Sequence, residues 1–152
     1  MAFRRRAPKE PAPPELTPLT IAESQWRGQQ LEAARRLVER YVGTSEMPPS
    51  LASLDATVVA WFADEAADRS DVNDLVNAVG VAFGHHLVKA VPGLTWVMAT
   101  DEAGTELAVH RDAGDVLVHP CNLVAKRIVE GETGFLDPAF TQLTDRIRQL
   151  PT

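Results

Sequence analysis

Cysteine is nearly absent from this sequence, since Cys121 is the only one among 152 residues. A lone cysteine excludes an intramolecular disulfide and is typical of a reducing compartment. Long apolar runs are also missing: no stretch approaches the roughly 18 residues that a membrane span requires. Prolines follow the basic start of the chain, where a signal peptide would carry its apolar segment. The sequence therefore predicts a cytoplasmic protein without membrane insertion.

Positive charge is in deficit, because 15 Lys and Arg stand against 21 Asp and Glu, giving a net charge of −6. This balance argues against a binder of duplex nucleic acid, whose affinity comes largely from neutralising phosphates. A glycine-rich phosphate loop is also missing, since Gly80 and Gly84 fall inside a predicted helix and do not follow a strand. We expect no cofactor.

The first 18 residues differ in composition from the rest of the chain. They hold five of the eleven prolines and the arginines Arg4, Arg5 and Arg6. Such a segment buries too little apolar surface to offset the entropy lost on ordering it. We therefore predict a disordered, proline-rich basic tail over residues 1–18 and a single α+β domain over residues 19–152.

Apolar residues recur at helical spacing in three segments after this tail. Thr20 and Glu23 form a capping-box signature for the first helix. Ser50 can cap the second helix, and the third begins near Ser70 or Asp71. The third helix contains the two glycines named above, each of which lowers helix stability by about 1 kcal/mol. We expect the close approach of another backbone to compensate for them.

The pattern changes to strand alternation after Gly93. Three strands are predicted over residues 94–100, 105–110 and 115–119, joined by turns that each end in glycine. Pro120 then suits the start of a fourth helix, and Asp137–Pro138 that of a fifth. The element order predicts an α+β fold with three N-terminal helices, a three-stranded antiparallel meander and two C-terminal helices packed on one face of the sheet.

The turns sort the strand side chains onto two faces. If each turn closes symmetrically, Thr100 pairs with Thr105 and His110 pairs with Asp115, and opposite residues share a face. One face is the core: Leu94, Trp96, Met98, Leu107, Val109, Val116 and Val118. The outer face has an apolar row beside polar residues, and we predict it as an interaction surface: Val97, Ala108, Leu117, Glu106, His110 and His119. Either the chain itself or a partner covers such a face.

Histidine and cysteine side chains are the candidates for chemistry. His85 and His86 are adjacent, so on a helix they point about 100° apart and do not easily share a metal ion. His119 and Cys121 lack the second Cys or His pair that makes a zinc pattern specific. Cys121 at a helix start would have its thiolate favoured, with His119 or His86 as a base. A small buried apolar cysteine is the other interpretation.

Three segments and one tryptophan form a recognisable pattern. They are GVAFGHHL at 80–87, Trp96, TDEAGTELA at 100–108 and PCNLVAKR at 120–127. Over residues 72–136 this pattern resembles a bacterial family of small α+β domains of unknown function. The resemblance implies a compact helix-plus-meander domain of bacterial origin, and it implies no catalytic residue.

Two classes of function follow from these observations. The first is a non-catalytic protein-interaction module that binds a protein partner or forms a homodimer, in a chaperone-like or immunity-like role suited by an acidic surface. The alternative is a small hydrolase or metal-assisted enzyme using His86, His119 and Cys121. That alternative requires the three side chains to meet in one pocket. The absence of a catalytic signature favours the interaction module.

Overall fold

The computed structural model describes residues 12–151. These residues form five helices and a four-stranded antiparallel sheet, which confirms the α+β class. The elements in chain order are β1 (Glu15–Pro18), α1 (Ile21–Tyr41), α2 (Leu51–Ala63), α3 (Val72–Ala90), β2 (Thr95–Asp101), β3 (Gly104–Arg111), β4 (Val116–Val118), α4 (Pro120–Val129) and α5 (Leu136–Arg148). None of the helices in this part of the chain combines the length and apolarity needed to cross a membrane.

Local capping chemistry fixes the starts of the first four helices. The Thr20 hydroxyl accepts a hydrogen bond from the Glu23 amide at 3.1 Å, and the Glu23 carboxylate accepts one from the Thr20 amide at 2.8 Å. This reciprocal pair is the predicted capping box of α1. Ser50 caps α2, Asp71 caps α3, and Pro120 is the first residue of α4.

Helix α5 begins differently from the prediction. It starts at Leu136, and no side chain of its own segment caps it. Instead the Asp55 carboxylate on α2 accepts hydrogen bonds from the amides of Leu136 at 2.9 Å and Asp137 at 3.2 Å. Of the two C-terminal helices, α4 contacts β3, whereas α5 packs against α2 and α3. The expectation that both pack on the sheet is therefore wrong for α5.

The sheet has one strand more than predicted. The predicted meander is present as β2, β3 and β4, and β1 adds to the free edge of β2 in the order β1-β2-β3-β4. Glu15 lies opposite Thr100, and Pro18 lies opposite Val97. Residues 1–11 of the predicted tail lie outside the described residues, but its last four residues form this strand. The three-stranded prediction is corrected accordingly.

The register of β2 with β3 agrees with the prediction, and that of β3 with β4 is shifted by two residues. His110 lies opposite Leu117, so the predicted pairing of His110 with Asp115 is wrong. The turn instead includes Asp115, which has a positive φ of 50° next to Gly114 at 78°. A shift of two residues leaves every side chain on its original face. The division into inner and outer faces therefore survives the correction.

Helix α3 lies at the centre of the core and packs against α1, α4 and α5. A Cβ atom on Gly80 would lie 2.6 Å from Cα and 3.0 Å from the backbone nitrogen of Cys121. This confirms that another backbone, the first turn of α4, approaches the third helix closely. At Gly84 an added Cβ would meet the Trp96 ring and lie 2.9 Å from Cγ of Pro120. Because glycine has no side chain at these two positions, α3 packs closely against both α4 and the sheet.

Candidate functional site

The outer face of the sheet carries the six residues predicted as an interaction surface. Val97 lies opposite Ala108, and Leu117 lies opposite His110. Ala108 is fully buried, whereas Val97 and Leu117 are half-buried. Ala99 and Ala108 are both buried but lie outside the main core cluster. The outer face therefore has an apolar patch of its own, separate from the core on the helix side.

Glu106 joins β3 to the start of α4. Its Oε2 atom accepts a hydrogen bond from Nδ2 of Asn122 at 2.7 Å and lies 3.2 Å from Nδ1 of His119. This nitrogen is buried and has no hydrogen-bond partner within the described residues, because the close contact to Glu106 lacks the required geometry. The structure thus brings Glu106 and His119 together, as the sorting of faces suggested.

His110 lies apart from that pair, at the other end of β3. Its Nε2 atom is 3.8 Å from a carboxylate oxygen of Asp112. Along β3, Glu106, Ala108 and His110 occupy alternate positions and therefore share the outer face. An acidic, an apolar and a basic-type side chain follow one another in that order.

Part of the outer face is covered by the chain itself. Ala12, Pro13 and Pro14 line a cavity of about 480 Å³ together with Leu117 and His119. Residues 12–14, which directly precede β1, therefore lie near the β4 side of the sheet. The chain itself, and not a partner, therefore covers the part of the outer face around Leu117 and His119.

The three residues of the enzyme hypothesis do not meet in one site. Nε2 of His86 donates a hydrogen bond to the carbonyl oxygen of Pro49 at 2.7 Å, since a carbonyl can only accept. His119 and Cys121 line two different cavities. Across residues 12–151, no three His, Cys, Asp or Glu side chains are grouped to hold a metal ion. The convergence that the hypothesis requires is not observed.

The Cys121 thiol has the environment of a packed side chain. Burial, with a smaller contribution from the Glu106 carboxylate, raises its pKa to about 11. Its Sγ atom lies 4.0 Å from the carbonyl oxygen of Asn77 on α3. Since the thiolate is the nucleophilic form, desolvation outweighs any benefit from the helix start at neutral pH.

A further cavity, which was not predicted from the sequence, lies on the helix side of the sheet. We call it the inner cavity. It has a volume of about 570 Å³ and is partly open to solvent. Its apolar wall consists of Trp26, Val76, Met98, Leu107 and Ala125. Its polar groups are Glu23, Asn73, Asn77, Thr105, Glu106, Cys121 and Asn122.

The inner cavity exists because four parts of the fold meet there: α1, α3, α4 and the β2–β3 hairpin. The close contact at Gly80 brings the first turn of α4, including Cys121, against α3 and closes one side. The exposed fraction of Trp26 is 37%, so its indole forms part of the rim. Glu106 lines this cavity while also contacting His119, and it therefore lies between the inner and outer sites.

Fold and cavities together define a small α+β domain built around a central helix. The chain belongs to the family described as "Domain of unknown function (DUF3806)", whose model matches residues 55–140. This confirms the resemblance to a family of small domains of unknown function. No curated protein matches the chain.

A solved structure shares the fold. The chain is similar to a protein from Bacteroides thetaiotaomicron VPI-5482, whose crystal structure was determined at 1.50 Å resolution, with a TM-score of 0.71 and 15% sequence identity. The match covers 94% of this chain and 52% of that one, so this chain spans about half the length of that protein. At this identity the likeness concerns the fold alone.

Proposed function

We propose that this protein is a non-catalytic protein-interaction module that forms a homodimer through the outer face of its sheet. The observation that carries the proposal is the order of Glu106, Ala108 and His110 on that face of β3. Glu106 lies two residues before the small apolar residue Ala108, and His110 lies two residues after it. This spacing makes the surface complementary to itself.

In the proposed dimer, the outer sheet faces of two copies stack on one another. The two-fold axis lies between the two sheets, perpendicular to the strands, at the level of Ala108. The strands of one copy therefore run opposite to those of the other. Glu106 of each copy then faces His110 of the other, whereas Ala108 lies below the axis and is already fully buried within its own chain. Stacked sheets lie about 10 Å apart, a distance that larger side chains on both faces must fill. Val97 and Leu117 are half-buried neighbours of the axis and have remaining surface to lose.

The helix arrangement supports the part of the outer face that residues 12–14 do not line as the side of the sheet open to a partner. Helices α3 and α4 make the strongest contacts with the sheet, and both contact β3. Val109, on the inner face of β3, is buried in the core that the helices form. Burying the remaining surface of each half-buried Val or Leu contributes about 1 kcal/mol. The environment of Cys121, with its raised thiol pKa, favours binding over nucleophilic catalysis.

The test is the oligomeric state of the untagged protein at low micromolar concentration, measured by native mass spectrometry and sedimentation velocity. We expect a dimer for the unmodified chain and a monomer for Leu117→Glu, because the substitution buries charge at the interface. Val129→Glu is the matched control, since Val129 is 85% exposed on α4, away from the sheet face. Circular dichroism verifies that both variants remain folded.

A charge exchange tests the symmetry itself. His110→Glu places carboxylates opposite one another across the axis and should give a monomer. Adding Glu106→Lys to that variant restores opposite charges and should restore the dimer. A monomeric unmodified protein refutes self-association. Capture of a different protein that Leu117→Glu abolishes would assign the face to a chaperone-like or immunity-like partner instead.

A further inference from the structure

We propose that the inner cavity binds a small organic cation with an apolar body. This inference concerns the helix side of the sheet and does not depend on dimer formation, although Glu106 belongs both to this cavity and to the interaction surface. It starts from the volume of about 570 Å³, which lies within the range of about 300–1,000 Å³ typical of small-molecule sites.

The apolar wall determines the body of the ligand. Val76 from α3, Leu107 from β3 and Met98 from β2 contribute aliphatic and thioether surface on several sides. Most of the surface of a ligand in such a site contacts apolar side chains, and a few polar groups orient it. An aromatic or branched aliphatic body of modest size fits this composition.

The charge of the lining determines the head of the ligand. Glu23 and Glu106 contribute two carboxylates, and none of the described residues that line the cavity is Lys or Arg. A ligand anion would therefore be desolvated next to like charge, which is strongly unfavourable. A cation gains Coulombic attraction and charge-assisted hydrogen bonds in the same place.

Glu106 is the carboxylate best placed to hold the cationic head. The Glu23 carboxylate already caps α1 by accepting the hydrogen bond from the Thr20 amide. Within the described residues, Oε2 of Glu106 accepts a hydrogen bond from Asn122 and lies 3.2 Å from Nδ1 of His119. The hydrogen bond from Asn122 holds the carboxylate in position, and Oε1, which has no hydrogen-bond partner within the described residues, is left to accept a hydrogen bond from an ammonium group of the ligand.

The rim offers a second contact for a cation. Trp26 keeps 37% of its surface exposed while it lines the cavity. A cation over an indole face is stabilised by the ring quadrupole, and indole is the best of the aromatic side chains in this respect. The amides of Asn73 and Asn77 on α3 supply hydrogen-bonding groups away from Glu106.

The experiment compares three probes of nearly equal shape that differ in charge: phenethylamine, phenethyl alcohol and phenylacetate. Binding is measured by titration of the full chain with ¹H–¹⁵N NMR, which also reports where the shifts occur. We expect the amine to bind about tenfold more tightly than the alcohol, a ratio typical of one charge-assisted contact. Phenylacetate should be the weakest, and the shifts should centre on Leu107, Asn122 and Ala125.

Three variants separate the cavity from the rest of the surface. Ala125→Phe fills the cavity and should abolish binding of all three probes. Glu106→Gln should weaken the amine about tenfold and leave the alcohol unchanged. Glu65→Gln is the matched control, because it removes the same charge from an exposed position outside the inner cavity. It should change neither the affinity for the amine nor that for the alcohol.

The oligomeric state of each variant is measured by native mass spectrometry in parallel, since Glu106 also lies at the proposed dimer surface. Probe binding that persists in monomeric Leu117→Glu supports an independent cavity site even if the dimer proposal fails. Three outcomes overturn the inference: no binding of phenethylamine, equal affinities for the amine and the alcohol, or unchanged binding by Ala125→Phe.

Discussion

Replacement of Gly80 by alanine tests the packing on which the inner cavity depends. Gly80 lies in the middle of α3, where alanine is favoured over glycine by about 1 kcal/mol on helix propensity alone. However, the new Cβ would lie 2.6 Å from Cα, 2.7 Å from Sγ and 3.0 Å from the backbone nitrogen of Cys121. Two of these three atoms belong to the backbone of α4 and cannot rotate away.

The expected magnitude follows from the two opposing effects. Overpacking in a well-packed core costs about 1–3 kcal/mol, and a backbone contact places Gly80→Ala near the upper limit. After subtraction of the gain in propensity, the free energy of unfolding should fall by about 2 kcal/mol. For a chain of this length, that corresponds to a fall in Tm of about 6 °C.

The assay is thermal and urea unfolding followed by circular dichroism, with Gly28→Ala as the matched control. Gly28 is also inside a helix, but an added Cβ there meets nothing within 4 Å. Gly28→Ala should therefore stabilise the protein by about 1 kcal/mol. The two alanine substitutions thus have opposite predicted signs, and a stabilising effect of Gly80→Ala would refute the close approach of α4.

A double variant distinguishes backbone from side-chain contact. Cys121→Ala removes Sγ but leaves the Cα and nitrogen atoms in place. The penalty of Gly80→Ala should therefore persist when it is measured in the Cys121→Ala background. Complete rescue would show that the thiol alone caused the clash, contrary to the reasoning from the backbone.

Three further predictions concern contacts outside this interface. Asp55→Ala leaves the first amides of α5 without their acceptor and should lower the free energy of unfolding by about 1–2 kcal/mol in urea titrations, whereas Asp68→Ala, at an exposed loop position, should change it little. His86→Phe leaves the buried Pro49 carbonyl without its donor and should cost about 1–3 kcal/mol. The Cys121 thiol has a pKa of about 11 rather than its ordinary 9.0, so the unfolded chain binds fewer protons, and stability should fall as pH rises from about 9 to 11. Cys121→Ser should flatten that pH dependence, and a slope that persists in this variant would assign the titration to another group.

The helix starts could be predicted from the sequence because their determinants are local. The capping box of Thr20 and Glu23 involves residues three positions apart, and Pro120 fits the first turn through its own ring. The start of α5 was predicted to within one residue, but its capping group was not, because the cap is Asp55, which lies 81 residues from Leu136 in sequence. A carboxylate at such a distance carries no local signal.

Strand β1 was missed because its composition resembles that of a tail. It contains Pro18 and only four residues, and prolines also precede it. A proline is compatible with a strand at the edge of a sheet, where one amide direction needs no partner. This segment becomes a strand only because it pairs with the free edge of β2. That β2 has a free edge can be inferred only after the order of the hairpin strands has been established. The hairpin sequences themselves did predict the faces, because an error of two residues in register preserves the side on which each residue lies.

The inner cavity is the feature furthest from sequence reasoning, and the physical reason is its dependence on tertiary contacts. Its carboxylates, Glu23 and Glu106, are separated by more than half the chain, and each has an ordinary local role, in a helix cap and on a strand. The two carboxylates line one cavity because α4 packs closely against α3 at Gly80. The two glycines of α3 were the sequence feature that predicted this contact. If Gly80→Ala displaces α4, it should therefore weaken phenethylamine binding as well as lower Tm, whereas Gly28→Ala should raise Tm and leave binding unchanged. Equal probe affinity in both variants would mean that the cavity does not depend on this contact.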